Sequence, residues 1–215
     1  LKDNDQSANL EALVDAGIRS FKIEGRYKDL ATVKNVTAHY RQLLDALLAR
    51  RPDLAPASSG RCRFGFTPDP NRGFNRGATD YFVNGRQPDI GAFDTPKHAG
   101  IPIGHVSTIG AGFVELTADD PATTMANGDA VTWLDRQGEL QGVSINRVES
   151  RGGGRWRLFP NGELAQLKDL RVGAELSRNR DMAWERLREK PSAERLIGVT
   201  LMLSTTPSGL ALDVV

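Results

Sequence analysis

The sequence predicts an α/β region followed by an all-β region, and three observations lead there. Residues 1–50 read as helix, strand, helix, the rhythm with which a β/α barrel ends. From Pro96 onward, short runs of partly alternating apolar residues are separated by glycine-bearing turns, the texture of a small closed β-barrel. Between the two, Arg51 to Gly60 (RPDLAPASSG) is rich in proline, alanine and serine and reads as a linker. The expected organisation is therefore a barrel end over 1–50, a linker over 51–60 and a small β-barrel domain over 61–180. A linking helix over 181–194 and the start of an incomplete β domain over 195–215 complete it.

Taken in order, Asp5 or Ser7 is placed to cap a helix bearing Leu10, Leu13, Val14 and Ala16, which Gly17 ends. Ile18 to Ile23 then reads as a strand. Side chains alternate along it, so Phe21 and Ile23 share one face while Ser20, Lys22 and Glu24 share the other. Asp29 is placed to cap a helix running to about Arg50, with Leu30, Val33, Val36, Tyr40, Leu43, Leu44, Leu47 and Leu48 on one stripe. Such a stripe needs a partner that one strand cannot provide. Further β/α units, or a homo-oligomer formed through helix 29–50, would cover it. The chain starts at Leu1 without methionine and stops at Val215 within a strand-like run, so a piece of a longer protein is expected.

Beyond the linker, Arg61 to Phe66 is extended, and Pro68 to Asn71 turns the chain into Arg72-Gly73-Phe74-Asn75-Arg76-Gly77, followed by Tyr81 and Phe82. Arg72 and Arg76 with Phe74 and Tyr81 suit an RNA-contacting surface, with guanidinium groups on phosphates and rings under bases. The same segment also suits a loop whose glycines adopt positive φ and whose rings plug a seam. Strands are expected at 101–106, 112–117, 130–134, 141–148, 155–159 and 175–178. Gly104-His105-Val106 and Gly128-Asp129 are similar to the β-barrel modules of translation factors. A short helix over 181–189, ended by Pro191, and a hairpin built from Leu196 to Leu203 and Leu210 to Val215 close the chain.

Composition bounds the function. A chain of 215 residues, 39% hydrophobic and 26% charged, is an ordinary globular sequence. Its net charge of +1 gives no overall field for RNA, DNA or an acidic membrane, so a polyanion must be held by a local patch. DNA is not an expected partner. The single cysteine, Cys62, excludes an internal disulfide and cannot alone hold an iron–sulfur cluster, which takes about four thiolates. It suits a structural thiol in a reducing cytoplasm. No apolar run approaches the roughly 20 residues of a membrane-spanning helix, and a signal peptide with a basic start and an apolar middle is not expected.

Catalytic signatures are sparse. His39, His98 and His105 lack metalloprotease spacing, and no Gly-x-Ser-x-Gly elbow occurs. His39 reads as a helix-surface or packing residue. Lys22, Glu24 and Arg26, at the carboxyl end of the expected barrel strand, stand where such barrels carry their chemistry. A catalytic role, a substrate contact and a plain salt-bridge network all fit them.

The segments LKDNDQSANLEALVDAGIRSFKIEGRYKD and VKNVTAHYRQLLD, with FNRGATDYF after them, resemble the collagenase-like U-type peptidases of family 32, through the end of a TIM-like barrel and the region following it. The likeness is to long members with an added C-terminal domain. It implies either a peptidase of unassigned catalytic type or an RNA hydroxylase that modifies cytidine in 23S ribosomal RNA, using prephenate and an iron–sulfur cluster held by barrel cysteines. Those cysteines have no counterpart here, so the cluster is expected upstream of Leu1. This stretch would supply the last barrel strand and an RNA-docking platform, inactive by itself. A non-catalytic module that binds RNA or protein is the third alternative.

Overall fold

The computed structural model describes residues 2–25, 28–73, 77–91 and 98–215. Its centre is a closed antiparallel barrel of six strands: β4 (Ile101–Gly110), β5 (Phe113–Ala118), β6 (Ala130–Leu134), β7 (Leu140–Gly152), β8 (Arg155–Pro160) and β9 (Glu175–Arg180). Their order around the barrel is β4-β5-β8-β7-β6-β9, with β9 closing back on β4. Each of the six expected runs is one of these strands, since alternation and the glycine turns are local signals.

Inward alternation fills the barrel with Ile103, Val106, Val114, Leu116, Val131, Trp133, Ile145, Leu158 and Leu176. This interior is packed with side chains. The Trp133 indole donates to the Lys168 carbonyl at 2.9 Å, and that of Trp156, packed against the core, to the Thr123 carbonyl at 3.1 Å. Gly104 is required where β4 crosses β5, because a Cβ there would run into the Thr117 carbonyl oxygen.

Two buried carboxylates tie loops to this barrel. Asp129 accepts from the Ala126 amide at 3.0 Å and the Met182 amide at 2.8 Å, joining β6 to the start of α3 (Met182–Glu189). Asp135 accepts from the amides of Gln137 and Glu139 and pairs with Lys168 at 2.5 Å. The Lys168 ammonium holds the Asp135 carboxyl down at about 2.

The N-terminal part is smaller. Strand β1 (Asp3–Asn4) pairs in parallel with β3 (Ala78–Thr79). A 3-10 turn at Ser7–Asn9 leads into α1 (Leu10–Asp15), and Gly17 ends the helix at a φ of 95°. Helix α2 (Leu30–Arg50) begins at Asp29, whose carboxylate accepts from the Thr32 amide at 2.6 Å. The strand expected at 18–23 does not form: these residues join no sheet. A parallel strand needs a ladder neighbour, and among the described residues the one parallel pair is β1 with β3.

The other face of α2 does the docking. Asn35, fully buried, accepts from the Asp69 amide at 2.9 Å and donates to the carbonyls of Asp69 and Arg72. Lys34 donates to the carbonyls of Arg188 and Lys190 and to Ser192 Oγ, all at 2.8–2.9 Å, so it closes the C-terminal end of α3. Of the expected stripe only Leu47 is fully buried, and Leu30 is 82% exposed.

After α3 the chain returns to the linker. β10 (Ala193–Leu196) pairs antiparallel with β2 (Arg61–Phe64), setting Arg195 opposite Cys62. The run expected at 196–203 is thus split, with a second strand, β11 (Leu201–Thr206), pairing with β12 (Gly209–Val214) in a two-stranded sheet. That ribbon exposes Leu201, Leu203, Leu210 and Leu212.

Candidate functional site

The segment 18–24 crosses the open side of α2 and walls a cleft of about 690 Å³. Its apolar lining comes from Leu13, Ile18, Phe21, Ile23, Val36 and Leu44. Gly25 brings the segment against the helix, since a Cβ there would stand 2.9 Å from a Val33 methyl. Of the stripe that the sequence marks for burial, Val33, Val36, Tyr40 and Leu44 line this cleft. Lys22 Nζ pairs with Glu24 at 2.7 Å, and both side chains are mostly in solvent. The hydrogen bond to Glu24 pushes the Lys22 ammonium pKa up. The alternation that puts these two on one side is local, which is why the sequence shows it. Arg26 lies outside the described residues.

At one end of the cleft is a cluster that the histidine spacing did not reveal. Ser7 Oγ lies 2.8 Å from His39 Nε2 and also donates to Asp5, which accepts in addition from Tyr40 Oη at 2.8 Å. Burial pushes the Asp5 carboxyl up, but hydrogen bonds from Ser7 and Tyr40 outweigh it and hold it below the usual range. The order differs from a nucleophilic triad, in which the carboxylate orients the histidine. Here the carboxylate holds the serine, whose own amide also donates to Asp5 at 2.9 Å. With its proton committed to Asp5, Ser7 Oγ is an acceptor for His39, and the cluster fastens the first turn to α2. His39, half-buried, thus ties α2 to Ser7.

Of the residues expected to contact RNA, Arg72 and Tyr81 lie within the described residues. Arg72 is part-exposed, its side chain 41% accessible, with its guanidinium 3.7 Å from Asp69, 4.0 Å from Asp181 and 5.9 Å from the Trp184 ring. It lines a cavity of about 250 Å³ between the barrel, α3 and the Asp69 turn. Gly73 and Gly77 both take positive φ, as a structural loop requires. Tyr81 is held elsewhere, in a turn at a φ of 55°, its amide donating to Thr79 Oγ1 at 3.1 Å and its ring edge-on to Phe82. Phe74 and Arg76 lie outside the described residues.

Cys62 is half-buried in β2. A lone thiol does not fit an iron–sulfur cluster, and among the described residues no group of three or more His, Cys, Asp or Glu could hold a metal ion. No helix of the described residues is long and apolar enough to cross a membrane.

Comparison with known proteins adds two findings. Residues 1–92 match the model of peptidase family U32. Over 203 residues, 94% of this chain, the sequence is 48% identical to the 23S rRNA 5-hydroxycytidine C2501 synthase of Escherichia coli strain K12. The chain spans 30% of the length of that protein.

Proposed function

We propose that this chain, which residues 1–92 place in peptidase family U32, is part of an enzyme that hydroxylates cytidine in 23S ribosomal RNA. The 48% identity over 94% of the chain to a 23S rRNA 5-hydroxycytidine synthase carries this reading. Likeness at this level over nearly the whole chain supports the same substrate class for the longer enzyme. The 215 residues would serve as a wall and a platform. The segment 18–24 would take its place as the last strand of a TIM-like barrel once parallel neighbours supply its ladder, bringing Lys22 and Glu24 to the barrel mouth. The paired charges would then meet substrate out of bulk water, where each is worth more than in the exposed pair. An iron–sulfur cluster would be held by cysteines outside these residues, and the enzyme would work in the cytoplasm.

The peptidase reading rests on the family's name. Among the described residues, the Ser7 and His39 pair is the nearest approach to its chemistry, and there the carboxylate sits on the serine instead of the histidine.

The test is nucleoside mass spectrometry of 23S RNA from a strain lacking the full-length gene, complemented with wild type or Glu24→Gln. Deletion should abolish 5-hydroxycytidine, wild type should restore it, and Glu24→Gln should leave it at least about ten-fold reduced, the loss of about 1.4 kcal/mol of transition-state stabilisation. Undiminished 5-hydroxycytidine in the deletion strain overturns the function. Full restoration by Glu24→Gln removes Glu24 from the site.

A further inference from the structure

With a net charge of only +1 and Arg72 flanked by Asp69 and Asp181, an RNA partner needs a local basic patch, and the outer wall of the barrel has one. Strands β5, β8 and β7 are consecutive neighbours. Val114, Leu116 and Leu158 point into the core. Alternation therefore sends Phe113 and Glu115 of β5, and Arg155, Arg157 and Phe159 of β8, to the outside. Arg147, Glu149 and Arg151 do the same on β7, past the irregularity between Ile145 and Arg147.

The register sets these side chains in rows. Arg157 stands between Glu115 and Glu149, and Phe159 lies opposite Arg147. The Arg157 guanidinium sits 4.1 Å from the Phe113 ring centroid and that of Arg147 3.8 Å from Phe159, while the two rings are 6.1 Å apart. Glu115 holds Arg157 at 2.8 Å and Glu149 is 3.4 Å from Arg147. Arg151 and Arg155 are exposed at the hairpin tip, on either side of Gly152, Gly153 and Gly154. Four arginines against two glutamates leave this one wall more positive than the chain as a whole.

A guanidinium stacked on a ring keeps its N–H edge available to phosphate, and ring and guanidinium planes both accept a nucleobase. Bases are available for stacking only where the strand is unpaired. We propose that the outer face of β5, β8 and β7 holds an unpaired stretch of RNA, with phosphates on Arg147, Arg151 and Arg155 and bases over the Phe113 and Phe159 layers. This rests on the RNA reading above and names the surface that serves it.

Fluorescence anisotropy of the full chain with a labelled oligocytidine of about 12 nucleotides, within the ~4–16 that one small β-barrel covers, tests it. Replacing Arg147, Arg151 and Arg155 together by Gln should weaken binding at least about ten-fold. It should also flatten the dependence of log K on log salt by about 2, at about 0.7 per phosphate contact. Phe113→Leu should weaken binding with the salt slope unchanged. Replacing Arg136, Arg171 and Arg186 by Gln removes the same charge elsewhere and should leave both affinity and slope as in wild type. Wild-type binding that survives the first triple variant overturns this surface and leaves the RNA reading standing. Equal losses in the two triple variants reduce the effect to net charge and overturn it as well. No binding by the wild-type chain overturns the surface and counts against the RNA reading too, which the mass spectrometry decides separately.

Discussion

The barrel and the α2 region solve the burial problem in opposite ways. In the barrel each strand has two ladder neighbours and the interior is filled with apolar side chains. Around α2 the buried face includes Thr32 and Asn35, and the ties are polar side-chain bonds to backbone and to other side chains, while Val33, Val36 and Leu44 line an open cleft. A closed barrel is self-sufficient because closure removes its edges. A helix held by a few directional bonds depends on each of them.

The largest effect that would sharpen this contrast is in the barrel. Leu158→Ala, at a site 1% exposed, should cost about 2–5 kcal/mol of stability in denaturant unfolding. A cost below 1 kcal/mol, on the order of one methylene group, would show that the interior collapses around the change, so that it is less tightly packed than its burial indicates.

Asn35→Ala should come next, at about 1–3 kcal/mol, because it strands the Asp69 amide and two carbonyls. Hydrogen exchange should quicken in 69–73 and α2 while the barrel strands keep their protection. Uniform loss of protection would break the contrast, making the two regions one cooperative unit.

The smallest effect is electrostatic. Asp135 is held at about 2 against an ordinary 3.8, so its pairing contributes stability above that ordinary value and loses it as pH falls through about 2. Lys168→Met should flatten the stability profile between about pH 4 and pH 2, the span between those two values. An unchanged profile would assign the shift to the Gln137 and Glu139 amides instead.

The two regions also differ in how much of them the sequence shows. The barrel strands, the Asp29 cap and the Asp181 helix follow from alternation and capping, which act over a few residues. The expectation for 18–23 fails for a physical reason: an amphipathic extended run is a strand only when a neighbour accepts its backbone hydrogen bonds. Of the site candidates, the pairing of Lys22 with Glu24 was legible because two residues apart on an extended run share a side. The approach of Arg72 to Asp181 and Trp184 was not, because those residues lie more than a hundred positions away.

By itself, then, the sequence determined the local periodicities, the turns, the lack of a cysteine set and the need for a local basic patch. Tertiary structure alone decided which face of α2 is buried, which acidic and aromatic groups flank Arg72 and which four arginines stand together on the barrel wall. Those outcomes depend on the register between strands and on contacts between distant residues, which alternation and spacing along the chain do not specify.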